Sequence, residues 1–306
     1  MNVVDVKNLT KYYGKFRALN EVNLKIKQGE VLGFLGPNGA GKTTTIRILL
    51  GLLRSSEGQA KLFGKDAWED AVEIHRQLAY VPGDVHLWPN LTGGEVIDLF
   101  CKLRGGLDDI RREKLIKRFD LDPTKKCKTY SKGNRQKVAL IAAFASDVDL
   151  FILDEPTSGL DPLMSAVFQD CVSKAKEDGK TVLMSSHILA DVEKLCDRIS
   201  IIRKGEIAET GTLSELRHMT QMSIEVETGK AIVGLEQIKG IDNLSVEGLK
   251  ARFEINSDKI DEVMRHLANF NIRFLTSTPP TLEELFMRHY GDDLVDLNQA
   301  SERSVS

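Results

Sequence analysis

Apolar and polar positions alternate through the first segment of the chain: Val4, Val6 and Leu9, then Val22, Leu24 and Ile26. A period of two turns one face of each segment toward a core and predicts antiparallel strands. Val31-Leu32-Gly33-Phe34-Leu35 is apolar without interruption, as a strand covered on both faces must be. The same holds for Leu150–Leu153, Thr181–Met184 and Ile199–Ile202. Helical patterns lie between these runs: Thr44–Leu53, Glu95–Arg104, Pro162–Ala175 and Ile188–Cys196. In the second, Val96, Leu99, Phe100 and Leu103 form one stripe at i, i+3, i+4, i+7. Buried strands alternating with helices predict a mainly parallel, covered sheet, with an antiparallel subdomain built from the early strands.

Residues 87–140 break the strand rhythm and read as a helical subdomain. From Arg104 to Lys137 this stretch is locally basic, either a solvated face or a surface near anionic lipid headgroups. The pattern restarts near 217. Met222–Thr228 and Ala251–Asn256 alternate, Lys259–Phe270 reads as a helix, and Pro279-Pro280 precedes a short helix at Thr281–Tyr290. The expected organisation is α/β throughout: a domain over 1–217, a small α/β accessory domain over 218–291 and a polar, frayed tail over 292–306.

Composition narrows the function. The 306 residues are 42% hydrophobic and 28% charged, with a formal net charge of -3. Nucleic-acid binders usually carry a clearly basic domain, so a nucleic-acid partner is not expected. No apolar stretch reaches 18 residues, so a membrane span is not expected either. The N-terminus lacks the basic and apolar regions of a secretory signal, which points to the cytoplasm. The four cysteines, Cys101, Cys127, Cys171 and Cys196, are far apart and read as free buried thiols rather than metal ligands.

Gly36-Pro37-Asn38-Gly39-Ala40-Gly41-Lys42-Thr43 fits G-x-x-x-x-G-K-[ST] between a buried strand and a helix. In that setting the backbone N–H groups form an anion nest, and the helix N-terminus adds its positive dipole end. Lys42 can then reach the β- and γ-phosphates and Thr43 can ligate Mg²⁺, with Thr44 completing the phosphate-binding set. The strand Leu150–Leu153 ends in Asp154-Glu155, placing two carboxylates where ligands bind in parallel sheets. Asp154 is the candidate for the Mg²⁺ shell and Glu155 for the base that polarises a water.

With these motifs in place, residues 3 to about 217 resemble an ABC-transporter ATPase, a P-loop fold. Tyr130-Ser131-Lys132-Gly133-Asn134 resembles the family signature, which implies that Ser131 and Gly133 bind the γ-phosphate of ATP held by a second subunit. Lys132 stands where the family usually has its first glycine, and Asn134 where it has glutamine. On its own residues, Ser131 reads as a helix N-cap. Ser158-Gly159-Leu160-Asp161 resembles the D-loop, which crosses the dimer interface. His187 matches the switch histidine, although a lone histidine has many structural roles. Tyr13 matches the aromatic that stacks on adenine, with Tyr12 as its alternative because neighbours on a strand face opposite ways. Gly83, in Tyr80-Val81-Pro82-Gly83-Asp84, occupies the position of the family's glutamine. Asp84 is then the candidate to reach Mg²⁺ through a water, against a plain role in a turn.

The resemblance implies a hydrolytic cycle in which ATP and Mg²⁺ glue two subunits, most simply a homodimer, and hydrolysis releases them. It implies a separate transmembrane permease, docked near Leu87-Trp88-Pro89-Asn90-Leu91 and the helix from Glu95; core packing of Leu87 and Trp88 is the plainer reading. The chain would then sit peripherally on the inner face of the membrane. The C-terminal domain resembles that of ATPases paired with drug and antibiotic exporters, which suggests export of a small hydrophobic or amphipathic solute. The alternatives are an ABC ATPase of translation or DNA repair, and a module that binds ATP without turnover. Members of the first group usually carry two cassettes or long coiled coils, whereas this chain has one phosphate loop and no sustained heptads. Glu155 and His187 together speak against the second.

Overall fold

The computed structural model describes residues 1–278 apart from 105, 107, 187, 219–220 and 257–258. It divides into two compact units, Met1–Thr210 and a second beginning at Gly211. The division falls ahead of the expected boundary at 217, so helix α8 (Leu213–His218) belongs to the second unit.

Two sheets build the first unit. An antiparallel sheet contains β1 (Asn2–Tyr13), β2 (Phe16–Lys27), β4 (Glu57–Leu62) and β5 (Lys65–Asp66) in the order β2-β1-β4-β5. The second sheet has the order β10-β9-β3-β8-β7-β6, from β3 (Val31–Leu35), β6 (Leu78–Val81), β7 (Leu150–Asp154), β8 (Thr181–Ser186), β9 (Arg198–Arg203) and β10 (Glu206–Thr212). Strands β9, β3, β8, β7 and β6 pair in parallel. Every residue of β3, β7 and β8 is buried, the condition their unbroken apolar runs anticipate. The core lies where the sheets face each other: Val4, Val6, Val22, Leu24 and Ile26 pack with Leu32, Phe34, Ile46 and Leu49.

Helices α1 (Lys42–Leu49), α2 (Ala71–Ile74), α6 (Pro162–Glu177) and α7 (Leu189–Leu195) connect the strands, and α3 (Gly93–Leu103), α4 (Asp109–Arg118) and α5 (Lys132–Phe144) form the helical insertion. Helix boundaries follow local chemistry that periodicity misses. Helix α1 stops at Leu49 rather than Leu53 because Gly51 takes a left-handed φ of 64°, and Leu52 N–H returns to the Arg47 carbonyl. Helix α3 starts two residues before Glu95 because Thr92 and Glu95 form a reciprocal capping box. The basic insertion is partly neutralised, with Arg112 paired to Asp98 and Arg118 to Asp170.

In the second unit, β11 (Gln221–Thr228), β12 (Ile241–Glu247), β13 (Lys250–Asn256) and β14 (Ile272–Thr278) form an antiparallel sheet in the order β12-β13-β11-β14. Val263 and Leu267 of α9 (Ile260–Ala268) join Ile224, Phe253 and Ile255 in its core. The helix expected at 281–290 and the tail at 292–306 lie outside the described residues. Among the described residues no helix is long and apolar enough to cross a membrane.

Candidate functional site

The turn between β3 and α1 is shaped by Gly41, whose φ of 114° is closed to side chains and whose added β-carbon would meet Leu19 Cδ2 at 2.7 Å. That turn delivers Lys42 to the carboxyl end of β3, with only 6% of the residue exposed. Its ammonium lies among oxygens: Gly36 O at 2.5 Å, Pro37 O at 3.3 Å and Glu155 Oε1 at 3.7 Å. Burial pushes the lysine pKa down, and the charges of Glu155 and Asp154 pull it partly back up.

Asp154 ends β7 and is 4% exposed. Its Oδ2 accepts from Thr43 Oγ1 at 3.2 Å and its Oδ1 from Ser185 Oγ at 2.5 Å. Thus the first turn of α1 and the ends of β7 and β8 meet at one carboxylate. The next residue, Glu155, has a left-handed φ of 50°, and its N–H is held by Ser185 Oγ at 3.0 Å and Ser185 O at 3.2 Å. Tyr80, on the neighbouring strand, is pushed up to about 12 by burial, with the Asp154 charge adding to the shift. Gly83 follows β6 beside this corner: an added β-carbon would lie 3.3 Å from Asp154 O and 3.4 Å from Glu155 Cβ.

Several expected site residues stand apart from this cluster or do something simpler. Ser131 caps α5, accepting from Asn134 N–H at 3.3 Å, and Asp161 caps α6, accepting from Met164 N–H at 2.9 Å. Pro162 at the first helical position reinforces the second cap. Gly133 packs against Gly159 so closely that a β-carbon would sit 2.5 Å from the Gly159 carbonyl oxygen. Tyr12 and Tyr13 are both exposed near the β1–β2 turn, with Lys11 Nζ 5.5 Å from the centre of the Tyr13 ring. Asp84 is exposed, with its carboxylate 3.7 Å from His86 Nε2. His187 lies outside the described residues. Trp88 is not a core residue: it is 51% exposed and its ring centre is 6.0 Å from that of Phe100.

Sequence reading overlooks Ser185, Gln136 and the pair Thr157–Asp191. Ser185 is the next-to-last residue of β8, where the apolar run gives way to two serines, and it is in register with Asp154. Gln136 sits on the apolar stripe of α5 with Leu140 and Phe144, is 1% exposed, and donates from Nε2 to the Pro156 carbonyl at 3.0 Å. Buried Asp191 on α7 accepts from Thr157 Oγ1 at 3.1 Å and from Gln169 Nε2 at 2.8 Å. A polar residue on an apolar stripe is the signal that would have exposed Gln136 and Asp191.

A glycine-bent loop between strand and helix, a buried lysine, a threonine on the first helical turn and two carboxylates at the end of a parallel strand define a nucleotide-binding P-loop ATPase. Comparison with known proteins agrees. The ABC transporter family matches residues 19–158, and the C-terminal domain of DrrA1-3-like ATP-binding proteins matches residues 211–290. The bacitracin transport ATP-binding protein BcrA of Enterococcus faecalis is 31% identical across 94% of this chain and 96% of its own length. Among solved structures, the ATP-binding subunit of an ABC transporter superposes with a TM-score of 0.67 at 32% identity, covering 71% of this chain and 92% of that one. A dimeric post-hydrolysis state of the cassette MJ0796, bound to ADP and phosphate, gives 0.63 at 28% identity, covering 69% and 98%. The chain belongs to the ATP-binding subunits of ABC transporters, and it is an ATPase. These relatives set aside the reading as a translation or DNA-repair factor.

Proposed function

We propose that two copies of this chain close around ATP and power a separate membrane permease that exports a small hydrophobic or amphipathic solute. The observation that carries the catalytic part is the meeting of Lys42, Thr43, Asp154 and Glu155 at the ends of β3 and β7. Thr43 to Asp154 is 3.2 Å and Lys42 to Glu155 is 3.7 Å.

In this reading the loop Gly36–Thr43, with Thr44, binds the phosphates, and Lys42 exchanges its carbonyl partners for phosphate oxygens. Tyr13 stacks on adenine. Thr43 and Asp154 fit Mg²⁺: they offer hard oxygens, and among the described residues no group of three His, Cys, Asp or Glu could cage a metal. Mg²⁺ is commonly held by one or two side chains together with substrate phosphates, whose charge it neutralises. Asp84 supplies a further, water-mediated contact in place of the glutamine absent at Gly83; its present orientation requires it to turn inward. Glu155 accepts the proton of the attacking water, and His187 contacts the γ-phosphate. Ser131 and Gly133 of the second copy complete the site, and Asp161 lies at the interface.

The family membership supports a dimer and a permease. The solute class rests on the likeness to a bacitracin transport protein and on the match of the second unit. That unit, from Gly211, would be an appended regulatory module. Exposed Trp88, Leu99 and Leu103 offer the permease an apolar patch, and docking there would hold the chain at the inner face of the membrane.

The deciding experiment is Glu155→Gln. The amide keeps the shape but cannot accept a proton. Nucleotide binding is expected to persist, turnover to vanish, and ATP to trap a closed dimer in size-exclusion chromatography. Hydrolysis at the parent rate would remove Glu155 from the role of base.

A further inference from the structure

The backbone of Glu155 is left-handed, a conformation uncommon for residues with a β-carbon and one that the surroundings must enforce. Strand β8 grips its N–H through Ser185, and its own turn closes with Ser158 N–H on the Glu155 carbonyl at 3.1 Å. The far side of the turn is gripped by a different part of the chain, the first two turns of α5. Gln136 reaches the Pro156 carbonyl, one peptide beyond Glu155, from a position 1% exposed. Lys132 Nζ donates to Ser158 Oγ at 3.0 Å. Gly133 meets the Gly159 carbonyl at a distance that admits no β-carbon. The turn Glu155–Gly159 is therefore pressed along its length by a helix whose N-cap is Ser131.

We infer that Gln136 and Lys132 are positioning residues for Glu155, and that they make the aim of this carboxylate depend on how α5 is seated. The inference rests on the reading above, in which Glu155 is the base and Ser131 and Gly133 touch the nucleotide of the second copy. ATP held by one copy draws on the N-terminus of α5 in the other. Through Gln136 and Lys132 that pull sets the strained turn beneath the other copy's own catalytic carboxylate. Each nucleotide thus readies the base at the opposite site. A side-chain amide and an ammonium suit this task because both donate to oxygens of the turn, and neither needs to touch substrate.

The test is steady-state ATP hydrolysis by the full-length chain, with KM and kcat separated and the melting temperature recorded. Gln136→Met keeps the length and removes the donor. It is expected to lower kcat at least tenfold while KM for ATP stays within twofold. Lys132→Met changes an exposed side chain and spares the core. It is expected to lower kcat two- to fivefold, with KM and melting temperature unchanged. Parent kcat in Lys132→Met overturns the inference whatever the fate of Gln136→Met. A raised KM with parent kcat in either variant also overturns it, since that marks lost nucleotide binding. If Glu155→Gln itself hydrolyses ATP at the parent rate, the assignment of the base has failed. If Glu155→Gln is inactive while both positioning variants keep parent kcat, only the coupling has failed.

Discussion

Ser185→Ala removes one oxygen atom from the corner where β7 and β8 end. In the parent that oxygen donates to Asp154 Oδ1 at 2.5 Å and accepts from Glu155 N–H at 3.0 Å. The two losses differ in weight. Glu155 N–H keeps the Ser185 backbone carbonyl at 3.2 Å, so little is lost on that side. Asp154 Oδ1 loses its hydroxyl partner in a residue that is 4% exposed. A hydrogen bond to a charged group contributes about 1.5–3 kcal/mol. For a unit of this size, about 2–4 °C of melting temperature accompanies each kcal/mol, so a fall of roughly 3–12 °C is expected. Function should fall too, because the carboxylate assigned to Mg²⁺ loses one of the two bonds that orient it. The assay is thermal denaturation of the nucleotide-free protein beside a Mg²⁺ titration of ATP hydrolysis. The expected result is a lower melting temperature and a midpoint shifted to higher Mg²⁺. An unchanged melting temperature together with an unchanged Mg²⁺ midpoint would refute the role given to this hydroxyl.

Lys42→Ala should abolish nucleotide binding measured by calorimetry while leaving a folded protein, because the ammonium it removes is penalised by burial; retained affinity would contradict the phosphate role. Burial pushes the Cys171 thiol up to about 11 from 9.0. A raised folded-state pKa gives stability that is complete below the unfolded value and is lost as pH rises through the folded one. Thermal stability should therefore decline between about pH 9 and pH 11, and Cys171→Ala should flatten that decline; the same slope in both proteins would exclude this thiol as a source. Asp84→Asn should shift the Mg²⁺ midpoint and slow turnover with folding intact if Asp84 turns toward the metal; identical titrations would assign Asp84 to the surface only.

How much of this was legible depends on whether the signal was local. The phosphate loop was readable because its glycines, Lys42 and Thr43 are contiguous, and β3, β7 and β8 because strands buried on both faces leave unbroken apolar runs. Strands β12 and β14 were not readable, since all of their residues are exposed or only half-buried and no alternation survives. Ser185 and Gln136 escaped for another reason. Each gains its meaning from a partner far along the chain, Asp154 for one and Pro156 beside Glu155 for the other, which only strand register and helix packing bring near. For Ser131 and Asp161 the plain helix-cap chemistry is what the single chain displays. The roles proposed for them toward a second copy would arise only where two chains meet.

The corner around Asp154 joins pieces that are remote in sequence, at residues 36–43, 83, 154–155 and 185. A ligand seated there would cross-brace β3, β7, β8 and α1 at once, and an unfolded chain could offer it no comparable grip. Nucleotide would then act as a folding ligand as well as a fuel. At a hundredfold excess over its dissociation constant, a ligand specific for the native state adds about 2.7 kcal/mol. Set against the 5–15 kcal/mol or so typical of a folded protein, that is a sizeable fraction. Resistance to proteolysis in the cell should accordingly follow the ATP pool, with the protein thinning out under energy starvation even when its synthesis is unchanged.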